Sequence, residues 1–118
     1  MLILEFPLVK RTKDSAPRRV DGLILPEAPH RMVRWRPHRA EVDTTVEEVI
    51  KGIHIVAVQV KPHRLDLPLL GQTFFAVELL WRFRPASVRG VALCTQSDSA
   101  LQEVFESFPN MKVEVDST

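Results

Sequence analysis

The stretch IHIVAVQV, residues 53–60, limits the possible fold more than any other part of the chain. Valine, isoleucine and alanine fill it almost without a break, which suits a strand covered on both faces. Such a strand needs partners along its edges and cover above and below, so a layered α/β architecture is expected with this strand inside it. Side chains alternate along a strand. Ile53, Ile55, Ala57, Gln59 and Lys61 therefore share one face, and Val56, Val58 and Val60 the other. The apolar run ends by setting an amide and an ammonium on the same side. Burying an ammonium alone costs on the order of several kcal/mol, so Lys61 calls for an anion, water or a metal-bound ligand nearby.

The rest of the chain supplies the layers. Residues 2–9, LILEFPLV, read as a strand, and Pro7 implies an edge position or an early end. KRTKDSAP is a turn or loop, and residues 19–25 are a second strand closed by Pro26. Residues 26–40 hold three prolines and four arginines, with Met32 to Trp35 as a short strand. EVDTTVEEVIKG, 41–52, predicts a short helix capped by Asp43 or Thr44, with Glu47 near its first turn, and ended by Gly52.

Residues 67–83 predict the main helix, with Pro68 in its first turn. Leu70, Phe74, Val77 and Trp81 repeat at helical spacing, Leu69, Phe75 and Leu80 widen the stripe, and Pro85 stops it. VRGVALC, 88–94, is a strand. A helix capped by Ser97 or Ser99 follows, with Leu101, Val104, Phe105 and Phe108 on its apolar side, and Pro109-Asn110 breaks it before a last strand, MKVEV. The first half reads as a meander. The second alternates strand and helix, which implies parallel pairing with right-handed crossovers. The expectation is an α/β fold with one central mixed β-sheet flanked by helices, a single domain over residues 1–118.

Charge and cysteine content narrow the function classes. The net charge of +1 makes the molecule as a whole no magnet for nucleic acid. Residues 1–64 nevertheless carry twelve Lys/Arg against eight Asp/Glu, and residues 65–118 carry four against seven. Arginine, whose planar fork suits phosphate, outnumbers lysine eleven to five. No run of about 18 apolar residues reads as a membrane span, and the N-terminal apolar run lacks a small-residue cleavage site. Cys94 is the sole cysteine and sits in an apolar run, so it is expected in the core of a cytoplasmic protein. His30, His38, His54 and His63 show no zinc spacing, and no Ser-His-Asp elbow, Gly-rich phosphate loop or Cys-His pair stands out. Trp35, between Arg34 and Arg36, suits either stacking on a base or anchoring a loop or dimer contact.

Asp21, in RVDGLIL, is the natural partner for the polar end of the 53–60 strand. If the two strands pair, a carboxylate, an amide oxygen and an ammonium converge. Mg²⁺ takes carboxylate, carbonyl and water oxygens, which Asp21, the Gln59 side chain and the Val60 backbone carbonyl can offer. Lys61 is then placed to orient water or stabilise developing charge, and phosphodiester hydrolysis is the reaction such parts suit. The acidic residues Glu41, Asp43, Glu47 and Glu48 read as a solvated helix face, and Asp21-Gly22 is equally suited to a strand irregularity.

With VDG at 20–22, QVK at 59–61, the helix from about Leu67, VRGVALC, the helix from about Ser99, and MKVEV, the chain resembles the PD-(D/E)XK nuclease superfamily, the restriction-endonuclease-like fold, in its Gln-x-Lys variant. The resemblance spans roughly residues 18–116. It implies Asp21 and Gln59 as metal ligands for Mg²⁺ or Mn²⁺, Lys61 as the catalytic lysine, and Gln72 as a helical glutamine at the active site. Arg19, His63 and Arg64 flank the strand ends as expected phosphate contacts. Val20 stands where the family has Pro, Ala76 where a Tyr often follows the helical Gln, and Glu5 lies on a strand rather than on a preceding acidic helix. The resemblance implies DNA as the partner. The competing expectation is a non-catalytic α/β interaction domain that contacts a protein, or a second copy of itself by sheet extension.

Overall fold

A computed structural model describes residues 1–35 and 48–116. The strands are β1 (Leu2–Val9), β2 (Arg18–Ile24), β3 (Met32–Arg34), β4 (His54–Val60), β5 (Ser87–Cys94) and β6 (Met111–Val115). Helix α1 covers Leu67–Leu80 and α2 covers Ser99–Glu106. Residues 48–50 are helical, but most of the helix expected at 41–52, with Glu41, Asp43, Thr44 and Glu47, lies outside the described residues, as do Arg36 and His38. The fold is α/β. Its six-stranded mixed sheet runs β3-β1-β2-β4-β5-β6. β1 pairs antiparallel with β2, β2 antiparallel with β4, and β4-β5-β6 are parallel. The 53–60 segment is thus an interior strand, and the strand-helix alternation after it gives parallel neighbours.

α1 packs over β4 and β5, and α2 against β6. Asp66 caps α1, its Oδ1 accepting the Leu69 N–H at 2.9 Å, and Pro68 stands in the first turn. Gly90 on β5 permits the close approach of α1. A Cβ there would stand 2.8 Å from Val77 Cγ2 and 2.7 Å from Met111 Sδ. Cys94 is buried, as expected.

Several expectations are corrected. Of the expected α1 stripe Leu69, Val77 and Leu80 are buried, Leu70 and Phe74 half-buried, and Phe75 and Trp81 exposed; Thr73 and Ala76 are buried as well, which centres the buried face about one residue ahead of the 70/74/77/81 series. The reason is Thr73, whose hydroxyl donates to the Leu69 carbonyl at 2.8 Å. A threonine satisfied within its own helix can face the core, and a count of apolar residues misses it. On α2 Phe105 is buried while Val104 and Phe108 are exposed. Its cap is Asp98, which accepts the Leu101 N–H at 3.1 Å, rather than Ser97 or Ser99. β4 is fully buried on the Ile55/Ala57/Gln59 face alone; Val56 and Val58 are half-buried and Val60 is exposed. β1 is flanked on both sides, but β3 pairs with Leu2 to Leu4 only, so Pro7 lies beyond its reach. Trp35 is half-buried and packs edge-on against Phe6 at 5.2 Å, which assigns it to anchoring. Among the described residues no helix is long and apolar enough to cross a membrane.

Candidate functional site

The β2-β4 ladder runs from Ile24↔Val56 to Gly22↔Val58. The next residues in that register are Asp21 and Gln59, and there the side chains take over from the backbone. The Asp21 N–H donates to Gln59 Oε1 at 3.2 Å. The Val60 N–H donates to Asp21 Oδ2 at 2.8 Å. A backbone donor at the end of a ladder needs a partner or water, and a carboxylate is a strong one. Gln59 is buried at 6% exposure and Asp21 is exposed, so the amide forms the floor and the carboxylate the rim.

The facing part of β1 is irregular. The pairs Leu4↔Gly22 and Phe6↔Val20 bracket Glu5, which has φ of 56°. A left-handed glutamate costs about 1–2 kcal/mol of backbone energy. Its carboxylate pairs with Arg34 at 2.8 Å.

Asp21 and Gln59 open into a cleft of about 690 Å³ between the start of β2, the end of β4 and α1. Leu8, Arg18, Arg19, Gln72 and Phe75 line it as well. Of the residues singled out from sequence, Asp21, Gln59, Gln72 and Arg19 therefore meet in one concavity. Lys61 follows β4 and is half-buried. Its N–H donates to the Leu93 carbonyl at 3.0 Å, and it is not among the described residues lining the cleft. His63 and Arg64 also stand outside the lining. His63 Nδ1 lies 2.9 Å from the Arg64 carbonyl oxygen and 3.7 Å from Asp66 Oδ2, and Arg64 bridges to Gln96. Those contacts shape the turn into α1. Arg18 and Gly71, which were not expected at the site, line the cleft too, and so does Phe75, which was expected on the apolar stripe of the main helix. The signal was present in the 68/72/75/79 spacing, which puts one helical stripe on the cleft.

No protein family, curated protein or solved structure matches this chain. Its chemistry is therefore read from the geometry.

Among the described residues no group of three His, Cys, Asp or Glu converges. Asp21 offers one negative charge, with Oδ2 already accepting Val60, and Gln59 Oε1 already accepts Asp21. Each oxygen retains acceptor capacity. One carboxylate with neutral oxygens matches the way Mg²⁺ is commonly held, with several waters kept and substrate phosphate completing the shell. It does not match a cage that binds metal tightly without substrate. Asp21 and Gln59 are the groups that would hold the ion; Val60, whose carbonyl was the expected third ligand, is not among the described residues lining the cleft.

Proposed function

We propose that this cleft binds DNA phosphodiesters and, with Mg²⁺ or Mn²⁺, hydrolyses them, in a domain of restriction-endonuclease-like type. The observation that carries the reading is the pair of bonds at the carboxyl end of an interior strand, Asp21 N–H to Gln59 Oε1 and Val60 N–H to Asp21 Oδ2, opening into a cleft lined by Arg18 and Arg19. Carboxyl ends of strands in open α/β sheets are where ligands bind. The strand run β1-β2-β4-β5, two antiparallel pairings followed by a parallel one across a helix, supports the resemblance. Bound metal supplies charge neutralisation and an acidified water. Asp21 and Gln59 would hold the ion and Arg18 and Arg19 the phosphate; Lys61, outside the cleft lining, would stabilise charge on phosphoryl oxygens of a substrate that extends past the end of β4.

The test is nicking of supercoiled plasmid with Mg²⁺ or Mn²⁺. Lys61→Ala should lower the rate by roughly 10²–10³, the scale for removing one charge-stabilising donor. Folded wild type that neither cuts DNA nor binds it in a metal-dependent way would overturn the proposal. A second reading, a non-catalytic interaction domain, draws on the apolar groove of about 270 Å³ that includes Trp81 and Phe108, which are 42% and 46% exposed. Light scattering across a concentration series tests it through self-association, which that reading requires if the partner is a second copy.

A further inference from the structure

The α1 wall of the cleft carries a feature that hydrolysis does not require. Pro68, Gly71, Gln72, Phe75, Ala76 and Leu79 form one helical stripe facing the cavity. Phe75 stands on it 67% exposed, although burying such a ring is worth about 1.5–3 kcal/mol. Gly71, one turn earlier, has nothing beyond its chain neighbours and its own helix backbone within 4 Å of where a Cβ would stand, so the space beside the stripe is open. On the β2 side are Arg18 and Arg19, both exposed; Arg18 Nη1 donates to the Pro17 carbonyl at 3.2 Å, and among the described residues no carboxylate forms an ion pair with either.

An exposed aromatic ring, open space along the helix and two guanidiniums form a surface for a flat ring joined to a phosphate. In a duplex both faces of a base are covered by its neighbours, so an interior base pair cannot use the ring. An unpaired nucleotide can, because every base has a π-face and stacking tolerates any sequence.

We propose that the cleft takes an unpaired nucleotide of single-stranded DNA, its base stacked on Phe75 and its phosphate held by Arg18 and Arg19. This names the substrate class of the same site, and it rests on the DNA-binding part of the reading above but not on hydrolysis.

The experiment is fluorescence anisotropy with the full chain in EDTA, using a labelled oligothymidylate of about twelve nucleotides and a duplex of equal length, in a size range that such grooves occupy. Wild type should prefer the single strand. Phe75→Ala should weaken oligothymidylate binding by roughly tenfold, within the range measured for loss of one stacking partner, and leave duplex binding within about twofold. Phe75→Trp should restore it. The double variant Arg18→Ala/Arg19→Ala should lower the salt slope for the single strand by about 1.4, two phosphate contacts' worth. Since Phe75 is exposed, thermal melts of these variants should match wild type.

Unchanged single-strand binding in Phe75→Ala, or an equal loss for duplex, would overturn the proposal. Phe75-dependent binding without any metal-dependent cleavage would retire the hydrolytic reading and keep this one. Duplex cleavage indifferent to Phe75 would do the reverse.

Discussion

Where β2 parts from β4, the Asp21 carboxylate accepts the Val60 N–H at 2.8 Å; at the rim of the sheet, the Glu106 carboxylate accepts the Val113 N–H at 2.9 Å. The two bonds are chemically alike. Each satisfies a backbone donor of a strand that has lost its neighbour. Their settings differ. Beside Asp21 lie a buried glutamine, a cleft and two arginines. Glu106 ends an exposed chain of contacts in which Ser97 donates to Gln102 and Gln102 Nε2 donates to Glu106 Oε1 at 3.1 Å. β6 is the outer strand, and Glu106 occupies a donor that a strand from another molecule would otherwise use. A carboxylate on a strand-end amide is a structural solution in itself. What makes one of the two a candidate site is the concavity and the second polar side chain beside it.

The largest expected difference between the two carboxylates is catalytic. Asp21→Ala should reduce metal-dependent cleavage by about 10² or more, while Glu106→Ala should leave the rate within about twofold. Equal losses, or none, would show that the cleft adds nothing to the bond. Next in size is stability. Gln59→Ala removes a buried amide and the acceptor of the Asp21 N–H, so urea unfolding should show a loss of about 2 kcal/mol, against about 0.5 kcal/mol for Glu106→Gln at the exposed rim. Metal binding sharpens the contrast further. At tenfold above its dissociation constant Mg²⁺ should stabilise wild type by about 1.4 kcal/mol in thermal melts, and Asp21→Asn should abolish that gain.

The smallest effect concerns pH. The Val113 N–H, with Gln102 and then Lys112 helping against slight burial, holds the Glu106 carboxyl below the usual value. A lowered folded pKa means that stability from this bond is present above the unfolded value and is lost as pH falls through the folded one. Denaturant midpoints of wild type should therefore decline slightly more than those of Glu106→Gln between neutral pH and the acid range. Parallel profiles would remove the carboxylate from the account of the edge.

How far the letters reached can be judged from single elements. The interior position of residues 53–60 was legible because a strand with valine and isoleucine on alternating sides has few other places to go. The main helix was legible from Pro68 and its periodicity, but its buried face was displaced by one residue, since Thr73 satisfies itself and hides among the core positions. The meeting of Asp21 and Gln59 was anticipated from strand pairing and the resemblance. The bonds from the Asp21 N–H to Gln59 and from the Val60 N–H to Asp21 were not, because they depend on where the ladder stops.

The pattern of apolar and polar residues by itself determined the element order, the mixed sheet and the strand end at which polar groups gather. It could do so because alternation and helical period are local properties of a chain in water. Tertiary structure alone decided that Phe75 faces a cleft instead of the core, that Lys61 stands outside its lining, and that Glu5 opposite Asp21 adopts a left-handed backbone. Those outcomes depend on the rotation of one helix over the sheet and on the point where two strands diverge, and packing across distant segments sets both.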